Sequence, residues 1–158
     1  MHVGEKVTRL GFGWKTSDHI LARYRESPEK DGILVAWAGN NNFDDPERVE
    51  ADVDAIAALH GDSTKLLVSG LANGDYPGRR FGESGYKKII DYNAKQADRF
   101  GDHFLDIRAV LIAQVASRNP GDILPEKIRK DKIHLNYGGN WRAAGIVYSR
   151  LKQLGLAS

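Results

Sequence analysis

Two short, unbroken apolar runs most constrain what this chain can fold into. Residues 33–38 read Ile-Leu-Val-Ala-Trp-Ala and residues 65–69 read Lys-Leu-Leu-Val-Ser, each ended by Gly or polar residues. A strand apolar at consecutive positions is buried on both faces, as in parallel sheets covered by helices. Residues 104–107 (Phe-Leu-Asp-Ile) form a shorter strand candidate, and residues 6–10, closed by Gly11, a weaker one. Between these runs the apolar spacing turns helical. Thr16 or Ser17 caps a helix to about Tyr24. Asp44 or Asp45 caps a second, with Pro46 in its first turn, Val49, Val53, Ile56, Ala57 and Leu59 at helical spacing, and Gly61 as its stop. A third is predicted over residues 83–100, with Tyr86, Ile89, Ile90, Asn93, Ala97 and Phe100 inward. A fourth covers residues 140–154, carrying Trp141, Ala144, Val147, Tyr148 and Leu151. Alternating strand and helix predict an α/β fold with a mainly parallel sheet and helices on both faces.

Composition narrows the function classes. At 158 residues, with no linker or internal repeat, the length predicts one domain over residues 1–158. No apolar run is long enough to span a bilayer, and no signal-peptide pattern follows Met1. The balance of 23 Lys+Arg against 21 Asp+Glu gives a net charge of +2, which argues against a nucleic-acid-binding charge field. The absence of Cys excludes disulfides, thiolate metal sites and a Cys nucleophile.

Ligands of open parallel sheets bind beyond the carboxyl ends of the strands, so the residues after each strand carry the functional weight. Three motifs stand there or just before the last helix. Asp131-Lys132-Ile133-His134 places a carboxylate three residues before an imidazole. A turn between them lets the acid fix the ring tautomer of a catalytic base; the same residues also suit turn hydrogen bonding. Gly39-Asn40-Asn41-Asn42 follows the first clear strand. An Asn amide there can donate to a developing oxyanion, or the run can simply serve turn and cap chemistry. Gly11-Phe12-Gly13-Trp14-Lys15-Thr16-Ser17 is a Gly-rich turn before a helix. Its backbone N–H groups suit an oxyanion or a phosphate, although it is neither G-x-G-x-x-G nor a P-loop.

In this order, the three motifs resemble the blocks of the SGNH (GDSL) hydrolases, a family of esterases and lipases. The residues around Gly13 are similar to its second block, Gly39-Asn40-Asn41 to its G-x-N block, and Asp131 to His134 to its D-x-x-H block. The sequence around Asn93, Phe104-Leu105-Asp106 and Gly138-Gly139 also fit, so the likeness covers about residues 6–152. The resemblance implies a flavodoxin-like three-layer sandwich and a serine esterase mechanism on an acyl or acetyl ester, with a small molecule or carbohydrate as substrate and no metal or organic cofactor. His134 would be the general base and Asp131 its orienting acid. The Asn41 amide would be one oxyanion donor, and the backbone N–H of Gly13 or Trp14 the other. Many relatives carry Gly where Trp14 stands. Trp14, Tyr76 and Tyr137 are candidates for the substrate rim.

One block is missing. The family's nucleophile strand, ending in Gly-Asp-Ser, has no counterpart before the strand at Val7, so the nucleophile is expected outside this chain. Gly61-Asp62-Ser63 is no substitute, because it precedes a strand and falls at the amino end of the sheet. In the family the missing strand lies between those near Val7 and Val35. Sheet completion by an upstream segment, a strand swap or a homo-oligomer is therefore expected. Two other readings remain: a catalytically inactive relative binding a ligand or carbohydrate, and a phosphate or nucleotide binder using Gly11 and Gly13. The basic clusters at residues 79–80 and 127–130 suit a solvated surface or the steering of an anionic substrate.

Overall fold

The computed structural model describes residues 8–11, 13–114 and 122–158. The strand candidate at residues 6–10 lies partly outside them, and residues 8–11 form no regular element. Among the described residues three parallel strands, β1 (Leu34–Ala36), β2 (Leu66–Ser69) and β3 (Phe104–Leu105), form an open sheet in the order β1-β2-β3. Leu34 pairs with Leu66, and Val68 with Phe104. Among the described residues five α-helices accompany them: α1 (Ser17–Glu26), α2 (Pro46–His60), α3 (Ser84–Phe100), α4 (Ile107–Ala113) and α5 (Tyr137–Gln153). The chain is thus an α/β structure built on a small parallel sheet, and among the described residues no helix is long and apolar enough to cross a membrane.

Local chemistry accounts for the helix bounds. The Asp45 side chain accepts the Arg48 N–H at 3.1 Å, and Pro46 occupies the first helical position, where its missing N–H removes no bond. Gly61 ends α2 at φ 75°, the left-handed region glycine tolerates. The predicted strand over residues 104–107 stops at Leu105. Asp106 caps α4 by accepting the Ala109 N–H at 2.9 Å, so Ile107 belongs to a helix that apolar run length did not reveal.

Alternating side chains of β2 divide the core. Leu66 and Val68 pack with Leu21, Val53, Ile56 and Ile89 of α1, α2 and α3. Leu67 packs with Leu105, Leu111, Ala143 and Ile146 toward α4 and α5. β1 is covered on one face only. Ala36 and Ala38 are buried, whereas Ile33, Val35 and Trp37 are 37–41% exposed. The expectation that Trp37 is core is therefore corrected: the α4/α5 layer covers β2 and β3, and at β1 only Leu151 joins the wall of a groove of about 580 Å3 with Ile33, Leu34, Val35, Tyr24 and His60.

One helix keeps part of its predicted face and another is rotated. On α3 the predicted Ile89 and Asn93 are buried, joined by Gly85, Tyr92 and Gln96, while Ala97 is exposed. Asn93 anchors this face: it accepts the Leu71 N–H at 2.8 Å and donates to the Leu71 carbonyl at 3.0 Å, prolonging the pairing of β2 with a side chain. On α5, Gly139, Ala143 and Ile146 are buried, and Trp141 is 64% exposed. A β-carbon at Gly139 would stand 2.2 Å from the Ile128 carbonyl oxygen. The smallest residues, not the largest, therefore mark the face that approaches backbone.

Candidate active site

A tight loop carries the acid–imidazole pair. Arg129 and Leu135 form an antiparallel bridge, the Lys130 N–H reaches the His134 carbonyl at 2.8 Å, and the Asn136 N–H reaches the Ile128 carbonyl at 2.9 Å. Asn136 then caps α5, accepting the Gly139 N–H at 2.9 Å. At the loop's tip the Asp131 carboxylate lies 2.8 Å from His134 Nδ1 and also accepts the backbone N–H groups of Ile133 (2.9 Å) and His134 (2.8 Å). These bonds, the His134 amide foremost and then that of Ile133 and the ring, hold the Asp131 carboxyl far below the usual carboxylate range. A carboxylate only accepts, so Nδ1 carries a proton, and in the neutral ring Nε2 is then the acceptor. Both side chains are exposed. Among the described residues no hydroxyl is hydrogen-bonded to Nε2.

The loop rests on the segment that follows β2. The Asp75 N–H donates to the Lys132 carbonyl at 2.7 Å, and a β-carbon on Gly74 would lie 3.0 Å from Ile133 Cβ. That segment also meets the end of β1, since Asn40 Oδ1 accepts the Ala72 N–H at 3.0 Å. Residues 72–75 thus join the Asn run to the Asp131–His134 loop at the carboxyl ends of β1 and β2. Behind them Asn73 is fully buried: its oxygen accepts Arg108 Nε at 2.7 Å, and its amide donates to the carbonyls of Arg79 and Asp122. Arg108 is paired with the Asp122 carboxylate, which also accepts the Tyr86 hydroxyl at 2.6 Å. Burial alone would raise the Asp122 pKa, but these two donors outweigh it and hold the pKa below its ordinary value.

Each Asn after β1 serves a different neighbour. The Asn41 amide donates to the Lys15 carbonyl at 2.8 Å, tying this loop to the turn that holds Gly13 and Trp14. Asn42 accepts the Ser17 N–H at 3.1 Å and donates to Ser17 Oγ at 2.9 Å. Gly13 and Trp14 are both exposed, Trp14 at 91% and in the left-handed region at φ 64°, while Phe12 lies outside the described residues. Tyr76 and Tyr137 are exposed too, Tyr137 in an edge-to-face pair with Trp141 at 6.1 Å.

The hydroxyls near this rim are engaged elsewhere or closed in. Ser17 Oγ is buried and donates to Asp52 at 2.7 Å. Thr16 donates to Asp18, so the His19 Nδ1 at 2.6 Å from the same hydroxyl acts as a donor to it and not as its base. Ser69 Oγ is buried without a partner. Ser63 begins a short 3-10 turn at the amino end of β2, after the Gly61 stop. Among the described residues no group of three or more His, Asp or Glu side chains is placed to hold a metal ion.

Sequence reasoning singled out the Asn run at residues 40–42, Asp131 and His134 but missed the supports behind them, namely Asn73, Arg108 and Asp122. Asn73 lies 35 residues from Arg108 and 49 from Asp122, and no local pattern encodes these contacts. No protein-family model matches the chain, and no curated protein matches it.

Proposed function

We propose that this chain is a hydrolytic acyl-transfer domain with a histidine–aspartate base. More particularly, it is read as an SGNH-type ester hydrolase in a flavodoxin-like sandwich, whose nucleophilic Ser comes from a segment outside these residues. The observation that carries the reading is the Asp131 carboxylate 2.8 Å from His134 Nδ1, in a loop that leaves Nε2 as a free acceptor at the carboxyl rim of the sheet.

In this mechanism the Ser hydroxyl attacks the ester carbonyl and passes its proton to His134 Nε2. Asp131 holds the ring and stabilises the imidazolium. The tetrahedral oxyanion takes an Asn41 N–H and the backbone N–H of Gly13 or Trp14. One amide hydrogen of Asn41 is spent on Lys15, and that bond fixes the direction of the other. Collapse breaks the ester C–O bond, and His134 returns the proton to the departing alkoxide. Water then repeats the cycle on the acyl-enzyme and releases the acid. Acetyl or short acyl groups on carbohydrate are the substrates implied by the family likeness.

The test is hydrolysis of 4-nitrophenyl acetate by the chain alone and with a co-expressed segment ending in Gly-Asp-Ser. Turnover is expected only with the segment, and His134→Ala returns it to background. Turnover by the chain alone that survives His134→Ala refutes the assignment. Exposed Trp14 and the Tyr137–Trp141 pair favour a second reading, a non-catalytic carbohydrate binder. Saturable quenching of Trp fluorescence by oligosaccharides, with no turnover in either arm, selects it.

A further inference from the structure

The outer face of α5 carries aromatic side chains that pack on no core. Tyr137, Trp141 and Tyr148 are 79%, 64% and 50% exposed. At about 100° per residue they fall within about 40° of one another around the helix. Gly139, Ala143 and Ile146, the buried residues of α5, lie on the opposite side. The rings thus form a row about 16 Å long. Tyr137 and Trp141 form an edge-to-face pair, and the Tyr148 hydroxyl donates to a backbone oxygen of Ser158. Single exposed aromatics are ordinary on a protein surface, whereas a contiguous row marks an interaction face.

Charge is the second observation. From residue 132 to residue 158 the sequence holds Lys132, Arg142, Arg150 and Lys152 and no Asp or Glu, which more than accounts for the net charge of +2. Arg142, Arg150 and Lys152, the cations of α5, form no ion pair among the described residues. Lys152 Nζ lies 5.7 Å from the centre of the Tyr148 ring. Arg142 and Arg150 line a groove of about 430 Å3 with Ser149 and Gln153, and no carboxylate lines it.

These features decide among occupants. A second copy seated on this face would set like charges against each other. A stable protein interface buries about 800 Å2 per partner, whereas a row about 16 Å long on a helix about 10 Å across offers roughly 160 Å2. A lipid surface needs no matching groove. Trp and Tyr seat their rings at headgroup level, and Lys and Arg attract anionic lipids. We propose that the outer face of α5 docks on an anionic lipid surface, with Tyr137, Trp141 and Tyr148 in the headgroup layer and Arg142 and Lys152 against lipid phosphates. This surface stands on these residues alone, without the hydrolase reading.

The probe is vesicles of phosphatidylglycerol and phosphatidylcholine in equal parts, set against vesicles of phosphatidylcholine alone and read by co-sedimentation and Trp emission. Binding is expected only to the anionic vesicles, with emission shifted to the blue, and is expected to be lost at high salt. Trp141→Phe should bind like the parent yet lose most of the shift, which separates this row from Trp14 and Trp37. Arg142→Gln and Lys152→Gln, at unpaired side chains, should each weaken binding about fivefold. Lys87→Gln removes the same charge from α3, on the other face of the sheet, and should leave binding unchanged. No binding to anionic vesicles, or equal binding to both kinds, overturns the proposal. So does a weakening by Lys87→Gln equal to that by Arg142→Gln, or a blue shift that survives Trp141→Phe. Quenching by oligosaccharides without vesicle binding overturns it too and gives the row to the sugar-binding reading.

Discussion

At Asp131 three donors converge on one carboxylate: two backbone N–H groups and the His134 ring. All three favour the charged form, so the folded pKa lies below the unfolded value of about 3.9. The stabilisation these bonds provide is then complete above the unfolded value and is lost only as pH falls through the folded one. The loop is accordingly expected to keep its pair at pH 3, with the Asp131 carboxyl carbon still at its ionised NMR shift. A midpoint near 4 would show that the bonds do not form. Asp131→Asn keeps an acceptor for the two amides but removes the charge that fixes the ring tautomer. On the proposed hydrolase reading, hydrolysis in the presence of the Gly-Asp-Ser segment should drop about 10^3- to 10^4-fold with the melting temperature little changed. Trp14 offers a test of a different kind. It is 91% exposed in a left-handed conformation that costs a non-glycine residue about 1–2 kcal/mol. Trp14→Gly removes that strain at an entropic cost of about 0.5–1 kcal/mol. A small net stabilisation, seen as a higher urea midpoint, is the expected result. A fall in the midpoint would mean that the indole packs on something after all. The pair at 131 and 134 was legible because both partners sit within one turn. Arg129 was not, because its meaning lies in Asp75, which only the fold brings near.

Among the elements, boundaries were easier to read than faces. The Asp45 cap, Pro46 and the Gly61 stop define α2 through interactions within a few residues, and the sequence carries each of them in order. On α3 the inward Ile89 and Asn93 were read and Tyr92 and Gln96 were not; on α5 large apolar side chains were taken as inward where Gly139, Ala143 and Ile146 are. Asn93 holds α3 against the Leu71 backbone, and Gly139 turns α5 so that it can press on Ile128. Both causes are testable. Asn93→Leu leaves the Leu71 N–H and carbonyl buried and unpaired, which should cost roughly 2–4 kcal/mol. Gly139→Ala forces a β-carbon into the Ile128 carbonyl and should cost roughly 1–3 kcal/mol. Urea unfolding reads both. Gly139→Ala should in addition perturb the His134 ring resonances, because the displaced helix carries the end of the loop with it. A Gly139→Ala protein as stable as its parent would mean that the close approach is not structural.

For the whole molecule, the consequential feature is the outer edge of the sheet. Among the described residues β1 pairs only with β2, and its side chains at 33, 35 and 37 form a bare apolar row. Periodicity could not reveal this, since a run apolar at every position reads the same on a central strand and on an edge. The groove beside it, about 580 Å3, is walled by Tyr24 and His60 on one side and Leu151 on the other, with the strand between them. Unpaired edge groups beside exposed apolar side chains draw in a further strand. We expect the chain to self-associate when no completing segment is supplied, and sedimentation velocity over a hundredfold concentration range to show the mass rising. Ile33→Lys with Val35→Lys should weaken that association about tenfold or more, through like charges at the edge. Stability should stay nearly unchanged, because both side chains are already exposed. The co-expressed Gly-Asp-Ser segment should suppress association in the parent and fail to bind the double variant. A parent that stays monomeric throughout, with no segment bound, would mean that the edge needs no partner and that the nucleophile does not arrive by this route.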